Sequence, residues 1–261
     1  MSDLVTVQML KAGIALVTLN QPERRNALSI LLLETLCDQV ERLASEKSNR
    51  VVIVRGAGPI FCSGLDLSEA SNPDLAHQSA RCVARTLQLM RQTRLITIAA
   101  VHGGAYAGGA GLMASCDIAI GTTDLKVGFP EAQRGLLPAL ICSVLTPKIR
   151  EGDLRELFLV GNSIDAARSQ QMGLLQRVVE PKDLMDEATK TASGITAGGP
   201  ETIEATKAML NQAYVPQDSV SIQRMLVAHL SARHSLEAQE GLAAFVEKRR
   251  PNWDANNPQS D

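Results

Sequence analysis

Glu131 is the residue whose neighbours most suggest chemistry. It follows Phe129-Pro130 and precedes A-Q-R-G-L-L-P, so an inward-packed segment leaves its carboxyl poorly solvated. A carboxyl in such surroundings has a raised pKa and transfers protons near neutral pH. On spacing alone, the commoner outcome is a surface glutamate paired with Arg134, three residues on. Upstream, residues 103–111 hold five glycines in nine positions and open a helix. Glycine lets backbone N–H groups approach a ligand closely, and a helix N-terminus adds partial positive charge. No G-x-G-x-x-G occurs, so a dinucleotide loop fits poorly. Spacing leaves a ligand cradle and close helix packing equally open. At residues 61–67, F-C-S-G-L-D-L places Ser63 before Gly64, where a backbone N–H can meet a ligand oxygen. A plain tight turn is the commoner use of S-G, and Asp66 also suits a helix N-cap. Two N–H donors with one acid/base are the equipment for enolate chemistry on an acyl group.

The elements that must position these residues follow from patterning. Residues 3–20 alternate around Gly13 and predict a hairpin. Residues 21–29 read as a turn. Residues 29–45 form an amphipathic helix with Leu32, Leu36, Val40 and Leu43 on one face. Residues 51–54 and 96–101 are short apolar runs suited to strands buried on both faces. Helices are expected over 76–92 and 109–115, with a strand over 117–120. Further helices are expected over 154–160 and 163–172, and a strand within 173–179. From Pro181 the chain reads as helical, with helices opening at Pro200 and spanning 219–233 and 236–249. The polar tail from Asn252 reads as frayed. Alternating β and α units predict an α/β layer fold with crossovers.

Composition narrows the function classes. The 261 residues suffice for one large domain, or one domain with an appendage. Apolar residues make up 45% and aromatics 3%, so the core is aliphatic. The net charge of −2 argues against a nucleic-acid partner. No apolar run of about 18 residues exists, so no membrane span is expected. The start M-S-D-L-V-T-V does not look like a secretory signal. The five cysteines, Cys37, Cys62, Cys82, Cys116 and Cys142, fit buried thiols in a reducing, cytoplasmic setting. No metal site is expected, because the four histidines share no ligand spacing with each other or with the cysteines. His229 and His234 are expected on a polar helix surface.

Taken together and in order, these segments resemble the crotonase, or enoyl-CoA hydratase, superfamily. Residues 20–28, N-Q-P-E-R-R-N-A-L, resemble its N-R-P-x-x-x-N-A-L opening. Residues 61–67, A-A-V-H-G at 99–103, Gly108-Gly109, Cys116-Asp117-Ile118, Glu131, Gly135 and Pro138 continue the match. Leu159-Val160-Gly161, Ala166-Ala167 and Met172-Gly173-Leu174 complete it. The likeness covers nearly the whole chain.

The resemblance implies an α/β spiral of ββα turns with two nearly perpendicular sheets over residues 1–195. It implies a helical C-terminal trimerisation region over 196–261, and a homotrimer or dimer of trimers. It makes Glu131, Ser63 and Gly108 the catalytic positions, with the Ser63 and Gly108 N–H groups as oxyanion hole. It places Arg24, Arg25, Ala27, Leu28, Gly64, Leu65, Asp66 and Leu67 around coenzyme A, with Arg24 and Arg25 at its phosphates. Gly104, Gly111, Pro130 and Leu136 join the substrate-binding positions, and Phe245 and Lys248 reach the neighbour's coenzyme A. No cofactor is implied; coenzyme A enters as part of the substrate, and an acyl-carrier-protein thioester is a second possible form.

The departures are informative. The family's first catalytic glutamate has Gly111 in its place, leaving Glu131 alone. Gly135-Leu136-Leu137-Pro138-Ala139 resembles the G-L-x-P-A of methylglutaconyl-CoA hydratase-like members. The usual glycine pair after that proline is Leu140-Ile141, and the common K-P is Arg94-Leu95. Three functions stay open: hydro-lyase on a 2-enoyl-CoA, 3,2-enoyl-CoA isomerase, and acyl-thioester binding without turnover.

Overall fold

The computed structural model describes residues 3–214 and 219–253. In chain order come β1 (Val5–Lys11), β2 (Ile14–Leu19), α1 (Ile30–Ser45), β3 (Val51–Gly56), α2 (Leu67–Ser71), α3 (Pro73–Gln92), β4 (Ile96–Val101), β5 (Gly104–Tyr106) and α4 (Gly108–Ser115). There follow β6 (Ile118–Thr122), β7 (Lys126–Gly128), α5 (Ala139–Leu145), α6 (Glu151–Val160), β8 (Ile164–Asp165), α7 (Ala166–Met172), β9 (Arg177–Val179), α8 (Leu184–Thr196), α9 (Pro200–Tyr214), α10 (Ser219–Arg233) and α11 (Leu236–Val246).

A six-stranded sheet runs β1-β2-β3-β4-β6-β9, and a three-stranded sheet runs β5-β7-β8. The large sheet is parallel except for the β1–β2 hairpin, which turns at Ala12-Gly13. Successive strands alternate between sheets: β4 is followed by β5, and β6 by β7. A bridge from Cys62 to Ala105 adds the segment after β3 to the same stack. The result is a ββα spiral, the expected α/β class.

Period-two alternation sorts the apolar strands into two cores. Val51, Ile53, Ile96, Ile98, Ala100 and Ile120 pack with Leu184, Ala188 and Ala192 of α8. Val52, Val54, Ala99 and Val101 face the core shared by α1, α3, α4 and α5. Helix α4 is buried on every side, so its glycine- and alanine-rich sequence allows close approach rather than amphipathic packing. Ser29 caps α1 at the Leu32 N–H, and Glu69 of α2 accepts from the Ile30 N–H at 2.7 Å. Arg94, in the place of the family's lysine, donates to the carbonyls of Ala44, Glu46 and Asn49. Buried Lys207 of α9 bonds Asp117 at 2.7 Å and the Leu95 carbonyl at 2.7 Å, fastening that helix to the sheet.

Several expectations need correction. The glycine stretch contains a strand, β5, whose pairing to β7 across the chain was not visible in local pattern. Helix α3 begins at Pro73, three residues before the apolar periodicity starts, because Asn72 caps it. Helix α7 begins at Ala166, because Ile164–Asp165 pairs with β7 and Asp165 caps the helix. Helix α11 stops at Val246 rather than Arg249; Lys248 has φ +55. Cys82 and Cys142 are only partly buried, unlike Cys37, Cys62 and Cys116. Among the described residues no helix is long and apolar enough to cross a membrane. Most of the expected frayed tail, residues 254–261, lies outside the described residues.

Candidate active site

A cavity of about 530 Å³ opens between the loop after β2, the turn after β7, and helices α3, α5, α10 and α11. Glu131 lines it at the start of a tight turn. The Glu131 carbonyl accepts from the N–H groups of Arg134 and Leu136, both at 2.9 Å, and Gly135 closes the turn at φ +66. The Glu131 side chain is 8% exposed, and its Oε2 has no hydrogen-bond partner. Burial raises its pKa from 4.5 to about 7, against a smaller opposing pull from Arg134. The surface Glu131–Arg134 ion pair suggested by spacing does not form. Arg134 instead stacks over the Phe245 ring at 4.0 Å and lines the same cavity.

The free backbone donors beside the cavity differ from expectation at one of the two positions. Ser63 lines the cavity, but its N–H already donates to the Arg25 carbonyl at 3.0 Å. Leu65 forms a parallel bridge with Leu28. The bonds of that bridge are Leu28 N–H to Gly64 O and Asp66 N–H to Leu28 O. They use the groups flanking Leu65, so its own N–H lies on the opposite edge. A Cβ built on Gly108 would lie 3.8 Å from that Leu65 nitrogen. Gly108 starts α4, where first-turn N–H groups lack helical acceptors. Neither N–H has an acceptor among the described residues. Leu65 and Gly108 are thus the adjacent free donors. Ala107, just before, holds φ +49, a strained conformation that sets the entry into α4.

Asn26 organises the loop that carries Arg24 and Arg25. It is fully buried at φ +53, and its Nδ2 donates to the carbonyls of Ala57, Ile60 and Phe61. Its Oδ1 accepts from the Gln21 N–H at 3.0 Å. Asn26→Ala should lower stability by about 2–4 kcal/mol, because it leaves several buried backbone groups unpaired at once; thermal unfolding checks this. Asp66 serves both readings: it caps α2 at the Ser68 N–H and pairs with Arg24 at 2.6 Å.

Of the expected substrate positions, Arg24, Arg25, Ala27, Leu65, Asp66, Leu67, Gly108, Leu136 and Phe245 line the cavity. Phe245 lines the cavity of its own chain. Leu28, Gly64, Gly104, Gly111, Pro130 and Lys248 do not line it. Leu28 is core, where its Cδ1 bounds Gly108. Gly64 sits at φ +94, a turn conformation that suits glycine. Gly104 is covered by the Tyr106 ring. Pro130 sits behind Glu131, and Lys248 falls past the end of α11. A Cβ at Gly111 would meet Ile141 Cγ1 at 3.1 Å and Leu87 Cδ2 at 3.7 Å. The place of a second carboxylate is therefore filled by aliphatic side chains.

His229 was expected on a polar surface and is instead 8% exposed, lining the cavity. The sequence of α10 has no one-sided apolar stripe, so periodicity gave no signal for its buried face. Leu140 and Ile141, which replace the family's usual glycine pair, do line the cavity, whereas Val83 of α3 and Arg134, held over Phe245 of α11, were not expected there because local pattern does not show which helices meet.

The family model described as Enoyl-CoA hydratase/isomerase matches residues 9–256. The crystal structure of an enoyl-CoA hydratase from Mycobacterium avium superposes with a TM-score of 0.88 at 32% identity, covering 97% of this chain and 100% of that one. Mevalonyl-coenzyme A hydratase sidH of Aspergillus fumigatus is 32% identical over 253 residues, 92% of this chain and 91% of that protein. Enoyl-CoA hydratase domain-containing protein 3, mitochondrial, of Rattus norvegicus is 30% identical over 248 residues, 92% of this chain and 81% of that protein.

Proposed function

The chain belongs to the enoyl-CoA hydratase/isomerase family, and from that membership we propose that it is a hydro-lyase adding water to a 2-enoyl-CoA, or removing it. The observation that carries this reading is Glu131: a buried carboxyl with an orphan oxygen and a pKa raised to about 7, on a cavity with two free N–H donors. Leu65 and Gly108 N–H groups hold the thioester oxygen, and C3 becomes electrophilic. Ionised Glu131 takes a proton from water as its oxygen bonds to C3, and the C2=C3 electron pair moves into the enolate. Glu131 then returns the proton to C2, and the enolate collapses to the thioester. One donor of this kind is worth about 2.7–4 kcal/mol of transition-state stabilisation in comparable sites. A carboxyl titrating near neutrality serves both proton transfers with little mismatch.

One observation favours a second reading. Ile141 and Leu87 fill the space beside Gly111, so no second carboxylate holds water there. A lone base suits 3,2-isomerisation, which moves a proton from C2 to C4 through the same enolate. Turnover of crotonyl-CoA in ¹⁸O-labelled water separates the two: the hydro-lyase places the label on C3, and a double-bond shift with no label rejects it. Hydration by wild type should also show an acid limb in kcat/KM near pH 7, because only ionised Glu131 accepts the proton. A profile flat between pH 5 and 8 would contradict this role.

A further inference from the structure

We propose that His229 makes this cavity select acyl chains bearing a hydroxyl group, whose O–H it accepts on Nε2. The inference rests on the acyl-CoA reading and adds a substrate class to it. His229 lies on α10, which packs against α5 and α3, and it lines the cavity together with Val83 of α3 and Leu140 and Ile141 of α5. Its Nδ1 is 3.3 Å from the Leu137 carbonyl. A carbonyl only accepts, so Nδ1 carries the proton and Nε2 holds a lone pair. That Nε2 is buried and has no hydrogen-bond partner among the described residues.

The imidazole stays neutral for two reasons. Burial is the larger, and the Arg233 charge one helical turn on is the second; together they lower its pKa to about 4. Arg233 is itself buried; its Nη1 N–H donates to the Ala76 carbonyl, and no carboxylate among the described residues pairs with it. A neutral histidine with a free lone pair calls for a donor; its Nε2 is closed to water while the residue lines the cavity, so an acyl hydroxyl seated against that wall is the donor we assign to it. A hydroxyl supplies one, whereas a methyl or a carboxylate does not. A wall made only of Val83, Leu140 and Ile141 would give the opposite order, because it desolvates a hydroxyl without a partner.

The test is calorimetric binding of three saturated thioesters that cannot be hydrated: 5-hydroxypentanoyl-CoA, hexanoyl-CoA and glutaryl-CoA. Wild type should bind the hydroxylated chain about tenfold tighter than hexanoyl-CoA, the scale of one net hydrogen bond. His229→Leu should bring that ratio to about one or below. His229→Gln, which keeps an acceptor, should retain part of it. A wild-type ratio of one or less overturns the proposal, and so does tightest binding of glutaryl-CoA, which would mark a cation site. An unchanged ratio in His229→Leu also overturns it. If that variant does not fold, the wild-type and His229→Gln ratios decide. Binding of coenzyme A with no acyl preference defeats this inference alone. Failure of all three thioesters and of coenzyme A to bind defeats the acyl-CoA reading as well.

Discussion

Glu131→Gln will abolish turnover and, above neutral pH, make the protein more stable. The catalytic loss follows from one residue making both proton transfers. General acid–base catalysis contributes on the order of 10²–10⁴-fold, and no second carboxylate lines the wall at Gly111 to replace it. Retained hydratase turnover on crotonyl-CoA would remove Glu131 from the mechanism. The stability gain has the same cause as the activity. Folding raises the Glu131 pKa from 4.5 to about 7. Between those values the native protein keeps a proton that the unfolded chain has released. The stabilisation is complete below pH 4.5 and is lost as pH rises through 7. By pH 8 the buried carboxylate costs about 3 kcal/mol relative to acid conditions. Glutamine has no proton to lose. The Tm difference between variant and wild type should therefore grow from pH 5 to pH 8, reaching several degrees. Equal Tm differences at both pH values would show that the carboxyl is not desolvated.

Gly241→Ala will lower both stability and kcat, although alanine is the better helix former. Gly241 lies in α11, and a Cβ there would fall well inside 3.0 Å of the Arg134 carbonyl. The contact is reciprocal: a Cβ on Gly135 would fall inside 3.0 Å of the Glu237 backbone. Helix α11 is thus pressed backbone to backbone against the turn that carries Glu131. Replacing glycine by alanine in a helix interior gains about 1 kcal/mol from propensity. Overpacking costs about 1–3 kcal/mol even where side chains can yield, and backbone yields less. Overlap therefore wins, by about 1–2 kcal/mol. Moving the turn by about 1 Å costs on the order of 10²-fold in rate, so kcat should fall by roughly that factor. Gly194→Ala in α8 is the matched control, with nothing within 4 Å of its Cβ. It should gain stability by about 1 kcal/mol and leave kcat unchanged. If Gly241→Ala behaves like that control, α11 does not position the catalytic turn.

The sequence alone determined the features that repeat at short range. Short continuous apolar runs at residues 51–54 and 96–101 marked the buried strands, and Ser29, Pro200 and Gly13 marked helix starts and a turn at their observed places. The collinear combination of the 20–28 opening, the S-G turn, the glycine loop, Glu131 and the later segments resembled the family to which the chain belongs. Only the tertiary structure decided which groups meet. Strand β5 exists because β7 pairs with it, and nothing local distinguishes it from a loop. The choice of Leu65 over Ser63 as a free donor depends on which edge of the segment Leu28 and Arg25 occupy. His229 lies in a helix without an apolar stripe, so its burial is set by α3 and α5, which pack against that helix. Glu131 shows the division most plainly. Its position between Phe129-Pro130 and Arg134 allowed a surface ion pair or a buried acid, because spacing does not measure solvation. Burial among elements distant in sequence raised its pKa toward neutrality, which is what suits it to the acid and base steps proposed for it.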